Sequence, residues 1–208
     1  MSKKSFITRE KILGKALELF NERGVEYVGL RELAALLDMR VSNITYYFPT
    51  KDDLVNQLAL DLSKLNSEIL VSDENITILS FLKMLKQASL IQLKYRGLLL
   101  SMVHLLTQNK VILARHQQTQ ADRNIILTEN ISRLIETGYL EIDTELKKEY
   151  LVHTTALIAR FWISESAISF RRLSLEEQSD NYLLMIANLL GPYATQNGAK
   201  EIAVFFEE

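Results

Sequence analysis

Cysteine is absent from this chain, so disulfides, thiolate nucleophiles and cysteine-ligated metals are excluded at the outset. Proline is nearly absent, with only Pro49 and Pro192, and glycine occurs seven times. So few helix interrupters favour long helices over many short strands. A membrane span is lacking too. The most apolar stretch, residues 151–170, carries His153, Arg160 and Glu165 and reads as a buried helix. Ser2, Lys3, Lys4 and Ser5 lead into amphipathic sequence without the apolar core of a signal peptide, so the expected location is the cytoplasm and no membrane partner is expected. Catalytic motifs are missing as well: no nucleophile elbow, no phosphate-cradling glycine loop and no paired histidine–carboxylate motif. His104, His116 and His153 have no metal-ligand spacing. The expectation is a protein without cofactor or metal, and not an enzyme.

What is present is a chain of 208 residues, 48% hydrophobic and 24% charged, long enough to bury a sizeable core. Net charge is −2 but unevenly spread: residues 1–51 carry +3 and the remainder −5. A basic N-terminal piece on an acidic body fits a localised anionic partner.

The apolar spacing is helical throughout. Ile12, Leu13, Ala16, Leu19 and Phe20 form one face of a first helix, expected from Thr8 as N-cap to Arg23, with Gly24 free to take positive φ beyond it. Leu30, Leu33, Ala34 and Leu37 mark a short second helix entered from Gly29. After Asp38 and Met39, a third helix has Val41, Ile44 and Phe48 as its core positions and ends at Pro49. Thr50, with Asp52 and Asp53 in the following turn, caps a fourth helix. Longer helices are expected at about 76–95, 97–108, 110–136, 145–171 and 176–195, with the residues from Asn197 open between a frayed helix and a short extended tail.

Three short helices thus fall within fifty residues, the second and third separated by a tight turn. The third spends few residues on the core and offers polar groups on its other side, the pattern of a recognition helix in a helix-turn-helix.

Residues 7–54 resemble the DNA-binding domain of the TetR family. The matching pieces are "ITREKILGKALELFNERG" (7–24), "LRELAALLDM" (30–39) and "NITYYFPTKDDL" (43–54). They include Phe20 four residues before Gly24, Leu33-Ala34, the aromatic run Tyr46-Tyr47-Phe48, and Lys51-Asp52 ahead of Leu54. Three positions depart from the family pattern: Gly29 stands where Thr or Ser usually opens the second helix, Ser42 where Gly, Ala or Pro is usual, and Thr45 where Tyr is usual. Residues 95–140 more loosely resemble the regulatory domain of one TetR subgroup.

The resemblance implies an all-α protein of about nine helices: an N-terminal three-helix helix-turn-helix DNA-binding domain at 1–50, then a C-terminal helical ligand-binding and dimerisation domain at 51–208. It implies a homodimer on double-stranded operator DNA, released by a small-molecule effector, with the helices at about 145–171 and 176–195 building the dimer bundle. Lys51, Tyr46 and Tyr47 are expected on phosphates, which set register. Arg40, Val41, Ser42, Asn43 and Thr45, with Arg31 from the second helix, are expected at base edges. Tyr95, Met102, His104, Arg160, Phe161 and Trp162 are candidates for the effector pocket, although such residues at helical spacing also serve as plain core. Arg160 and Glu165, charges in an apolar helix, are expected to meet a partner or a ligand, a salt bridge across helices or at the dimer interface being the preferred reading. The rival reading is a helical protein–protein adaptor whose helix-turn-helix has lost DNA, favoured by Gly29, Thr45 and the acidic total.

Overall fold

The computed structural model describes residues 3–207. Among these it holds eleven α-helices: α1 (Lys3–Arg23), α2 (Leu30–Leu36), α3 (Val41–Tyr47), α4 (Lys51–Ile69), α5 (Ile78–Lys94), α6 (Arg96–Leu100), α7 (Met102–Gln108), α8 (Lys110–Glu136), α9 (Glu145–Ser169), α10 (Leu175–Leu190) and α11 (Gln196–Glu207), with a 3-10 turn at Gly191–Tyr193. The only pairing of extended residues described is an isolated bridge, Leu140 with Ala194. No helix among the described residues is long and apolar enough to cross a membrane. The architecture is all-α, as the periodicity implies.

Several local expectations are corrected. α1 begins at Lys3 and runs through Thr8, which lies inside the helix and not at its cap. Residues 3–7 contain no breaker, so nothing halts the helix short of them. The single helix expected at 97–108 is two, α6 and α7, divided at Ser101, whose hydroxyl donates to Glu26 Oε2 at 2.9 Å. α10 stops at Leu190, where Pro192 cannot continue the hydrogen-bond ladder, and the chain tightens into the 3-10 turn. The tail from Asn197 lies within a regular helix, α11. The Thr195 hydroxyl accepts from Gly198 N at 3.2 Å to cap it, and Phe205 is buried. The Ser101 break and α11 account for the two helices beyond the expected nine.

Gly24 acts as anticipated, and the structure adds two further terminal signals. Gly24 ends α1 at φ 90°, and Gly138 follows α8 at φ 77°. Ser174 and Glu177 form a full capping box at α10.

The chain packs as two compact units. One holds the residues up to Lys64 with Lys94–Arg115, and the other Leu65–Leu93 with the chain from His116 onward. In the first unit α1 packs on α6 and α2 on α3. Ile12, Ala16, Phe20, Leu33, Ile44, Leu54 and Leu58 are nearly inaccessible to solvent. In the second, α9 packs on α10, and Ile78, Phe81, Leu82, Ile131, Leu134, Leu183, Ile186 and Leu190 form a continuous apolar cluster.

Candidate nucleic-acid interface

α2 and α3 have seven residues each. Helices this short do not stand alone in water, so packing must hold them. Leu33 and Ala34 of α2 and Ile44 of α3 are buried, and Phe48 just beyond α3 is 3% exposed. The Arg9 guanidinium lies over the Phe48 ring, 5.3 Å from its centre, which ties the end of α3 to α1. The turn between α2 and α3 is closed by Leu37 N and Met39 N, both donating to Ala34 O at 3.2 and 2.9 Å. Asp38 makes the reversal at φ 53°, a left-handed conformation that aspartate tolerates better than most residues. Arg40, extended at φ −71° and ψ 144°, starts α3.

This construction decides which side of α3 faces outward. Arg40, Ser42, Asn43 and Tyr46 are exposed, while Thr45 and Tyr47 are partly so. Tyr46 is 78% exposed and meets the Tyr47 ring edge-on at 5.0 Å, so the two phenols stand as a pair. The expectation that Val41 belongs to the core is corrected. It is 39% exposed, because Ile44 and Phe48 alone point inward and the first turn of α3 clears its neighbours. Val41 thus stands on the same outward face as Ser42 and Asn43. Arg31 is also exposed, on α2.

Thr50 and Asp53 cap α4 reciprocally. Asp53 N donates to Thr50 Oγ1 at 3.1 Å, and Thr50 N donates to Asp53 Oδ2 at 2.9 Å. Lys51, half-buried at the same end, donates from Nζ to Glu26 O at 3.2 Å, so its ammonium is tethered to the segment before α2. Gly29, the N-cap of α2, sits at φ −105° and ψ 156° and offers no side-chain cap.

The effector candidates are divided between the units. Tyr95, Met102 and His104 belong to the first; Tyr95 and Met102 are buried and His104 is exposed. Burial, then the Asp61 and Glu10 carboxylates, push the Tyr95 phenol above its ordinary pKa. Arg160, Phe161 and Trp162 belong to the second unit. Trp162 is buried and donates its indole N–H to Gln92 Oε1, while Gln92 Nε2 donates to Ala159 O at 3.2 Å. The ionic partners expected within the fold for Arg160 and Glu165 are replaced by polar ones: Arg160 Nε donates to Gln120 Oε1 at 3.0 Å, and Glu165 accepts from Ser169 at 2.6 Å. Gln92, Gln120 and Arg123 were not singled out from sequence. The run of polar residues around 116–124 has the look of a solvated face, and only the partner helix reveals otherwise.

The profile described as "Bacterial transcriptional repressor" for TetR matches residues 64–202, well over half of the chain, and the profile described as "Bacterial regulatory proteins, tetR family" matches residues 12–58. The chain belongs to the TetR family. This TetR-family member is a transcriptional regulator of the helix-turn-helix type, and its family and fold are those of DNA-binding regulators rather than enzymes. The HTH-type transcriptional regulator YttP of Bacillus subtilis is 39% identical over 51 residues, 24% of this chain and 25% of that protein; the match therefore spans about a quarter of the relative. A TetR-family regulator from Marinobacter aquaeolei superimposes with a TM-score of 0.87 at 20% identity, over 100% of this chain and 98% of the other. A transcriptional regulator from Saccharomonospora viridis in complex with choline gives 0.68 at 17% identity, over 86% and 94%. The SmeT–triclosan complex gives 0.64 at 14% identity, over 92% and 94%.

Proposed function

We propose that this regulator is a cytoplasmic repressor that binds a two-fold operator as a homodimer and leaves it when a small molecule binds the C-terminal region. The division of labour in this reading is residues 1–50 for DNA and 51–208 for dimerisation and effector. The observation that carries it is the outward polar stripe of α3, with Ile44 and Phe48 turned the other way. A seven-residue helix held from behind can enter the major groove, where Arg40 can reach guanine and Asn43 adenine, with Ser42, Thr45 and Val41 beside them and Arg31 approaching from α2. Tyr46, Tyr47 and Lys51 serve the phosphates.

The homodimer is supported by a face of α9. Leu146, Tyr150, Leu157 and Ile168 are 58%, 64%, 56% and 77% exposed at helical spacing, with Leu184 and Met185 of α10 also uncovered. Contiguous apolar surface of this kind marks an interaction site. A second copy laying the same two helices against these would make a four-helix bundle. The triclosan and choline complexes of structural neighbours support a small-molecule effector for this fold.

The test is selection of duplexes from a random pool, followed by binding at several salt concentrations. A palindrome with half-sites about 34–36 Å apart, or a multiple, is expected. Lys51→Ala should weaken binding to every duplex and flatten the salt dependence. Arg40→Ala or Asn43→Ala should relax preference at one position in each half-site, by about 1–3 kcal/mol. Failure to enrich any duplex, or a single asymmetric site bound by one chain, refutes the proposal and favours the adaptor.

A further inference from the structure

α8 and α9 bring Arg123 and Arg160 near each other, and among the described residues no carboxylate pairs with either. On α8, His116, Gln120 and Arg123 follow at spacings of four and three, which puts them on one stripe. That stripe faces α9, since Arg160 Nε donates to Gln120 Oε1 at 3.0 Å. Arg123, one turn further along α8, has an Nε that is buried and has no acceptor among the described residues. The two guanidiniums interact unfavourably. Arg123 is held below its ordinary pKa by burial and then by the Arg160 charge, and the half-buried His116 is held down by burial and then by Arg160 and Arg123. The polar partner that Arg160 has, Gln120, is neutral, and no described residue supplies a carboxylate to either arginine.

Half-buried cations near one another are costly when no counter-charge offsets them. Such an arrangement persists where something outside the chain completes it. Guanidinium forks match oxygen anions in geometry as well as charge. A cation is repelled here and a neutral ligand leaves both charges uncompensated. Trp162, two residues beyond Arg160 on α9, is turned to the other side of the helix, where it bonds Gln92 and lies 5.9 Å from the Tyr182 ring.

We propose that Arg123 and Arg160, bridged by Gln120, receive the anionic oxygen group of a small molecule and thereby form the charge-selecting end of an effector site in the second unit. The inference rests on the reading of this chain as an effector-controlled regulator, which it deepens by naming the effector's chemistry.

Trp162 is the chain's single tryptophan, so its emission reports from within two residues of Arg160. The full-length protein is titrated with benzoate, octanoate and inorganic phosphate, and with benzamide as the neutral counterpart of benzoate. Tryptophan fluorescence and calorimetry give the affinities. Saturable binding of at least one anion is expected, with the organic and inorganic arms showing which source of the oxyanion fits, and benzamide should not bind. Arg123→Met and Arg160→Gln should each weaken anion binding about ten- to a hundredfold, the weight of a charge-assisted hydrogen bond. Ligand-free Arg123→Met should also melt at or above the wild type, because it removes a half-buried charge whose buried Nε has no acceptor among the described residues; a purely structural arginine would do the reverse. The proposal is overturned if no anion binds saturably, if benzamide binds as well as benzoate, or if the variants bind anions undiminished. It is equally overturned if either variant dissociates the dimer, which would assign the arginines to a partner subunit. Operator binding by the ligand-free wild type is measured separately. Its absence refutes the regulator reading, whereas the titrations alone decide the anion site.

Discussion

Replacing Gly97 by alanine should destabilise the first unit, whereas the same replacement at Gly14 should stabilise it. Gly97 is buried in α6 where that helix crosses α1. A Cβ there would lie 2.1 Å from Phe20 O, 2.4 Å from Phe20 C and 2.7 Å from Asn21 N. These are backbone atoms in the middle of a packed helix and cannot rotate away, so α6 must move off α1. That movement pulls on a clasp. Asn21 Oδ1 accepts from Gly97 N at 2.8 Å, and Asn21 Nδ2 donates to Lys94 O at 2.8 Å. Overpacking of this sort costs about 1–3 kcal/mol, and losing a hydrogen bond of the clasp adds about 0.5–1.5 kcal/mol. Alanine's better helix propensity returns about 1 kcal/mol. The net loss is about 0.5–3.5 kcal/mol, and at its centre of about 2 kcal/mol it lowers Tm at this chain length by roughly 4–8 °C. Gly14 lies mid-helix in α1 with nothing within 4 Å of the point a Cβ would occupy, so Gly14→Ala keeps only the propensity gain, about 1 kcal/mol of added stability. Urea unfolding followed by far-ultraviolet circular dichroism measures both, with the fitted slopes compared to verify that the transitions expose similar surface. If Gly97→Ala equals or exceeds the wild type in stability, the close approach of α6 to α1 is wrong.

Gly29→Thr should raise DNA affinity and slightly stabilise α2. The site is extended with open space around a Cβ, and a hydroxyl there supplies the missing cap, worth a few tenths of a kcal/mol relative to glycine. Anisotropy titration with a selected duplex checks it, and a weaker complex would count against α2 lying at the phosphates. Asp38→Val should destabilise the helix-turn-helix by about 1–2 kcal/mol, because a β-branched residue resists the left-handed turn, whereas Asp38→Gly should not; thermal melts of the two variants compare them. His116 takes its proton less readily in the folded chain than in the unfolded one. It therefore leaves stability unchanged above the unfolded histidine pKa, about 6.5, and subtracts from it as pH falls below that value. His116→Gln should flatten the acid side of the stability–pH curve, and an unchanged slope would show that the ring is not desolvated beside the two arginines.

Local patterns in the amino-acid sequence were enough to reveal most of the helices and the polar stripe of α3. Both follow from local rules: apolar residues three and four apart, a proline that ends α3 at Phe48, a Thr50–Asp53 cap, and a Gly24 that closes α1. Those interactions span a few residues, so spacing alone reveals them. Tertiary structure alone decided that Val41 is uncovered, that Ser101, at the break between α6 and α7, bonds Glu26, that Gly97 is glycine because Phe20 lies against it, and that Arg160 bonds Gln120 near Arg123. These contacts join residues 37 to 77 positions apart. A polar run on α8 looks the same in sequence whether water or a second guanidinium faces it, since helical periodicity specifies which residues share a side but not what that side will meet.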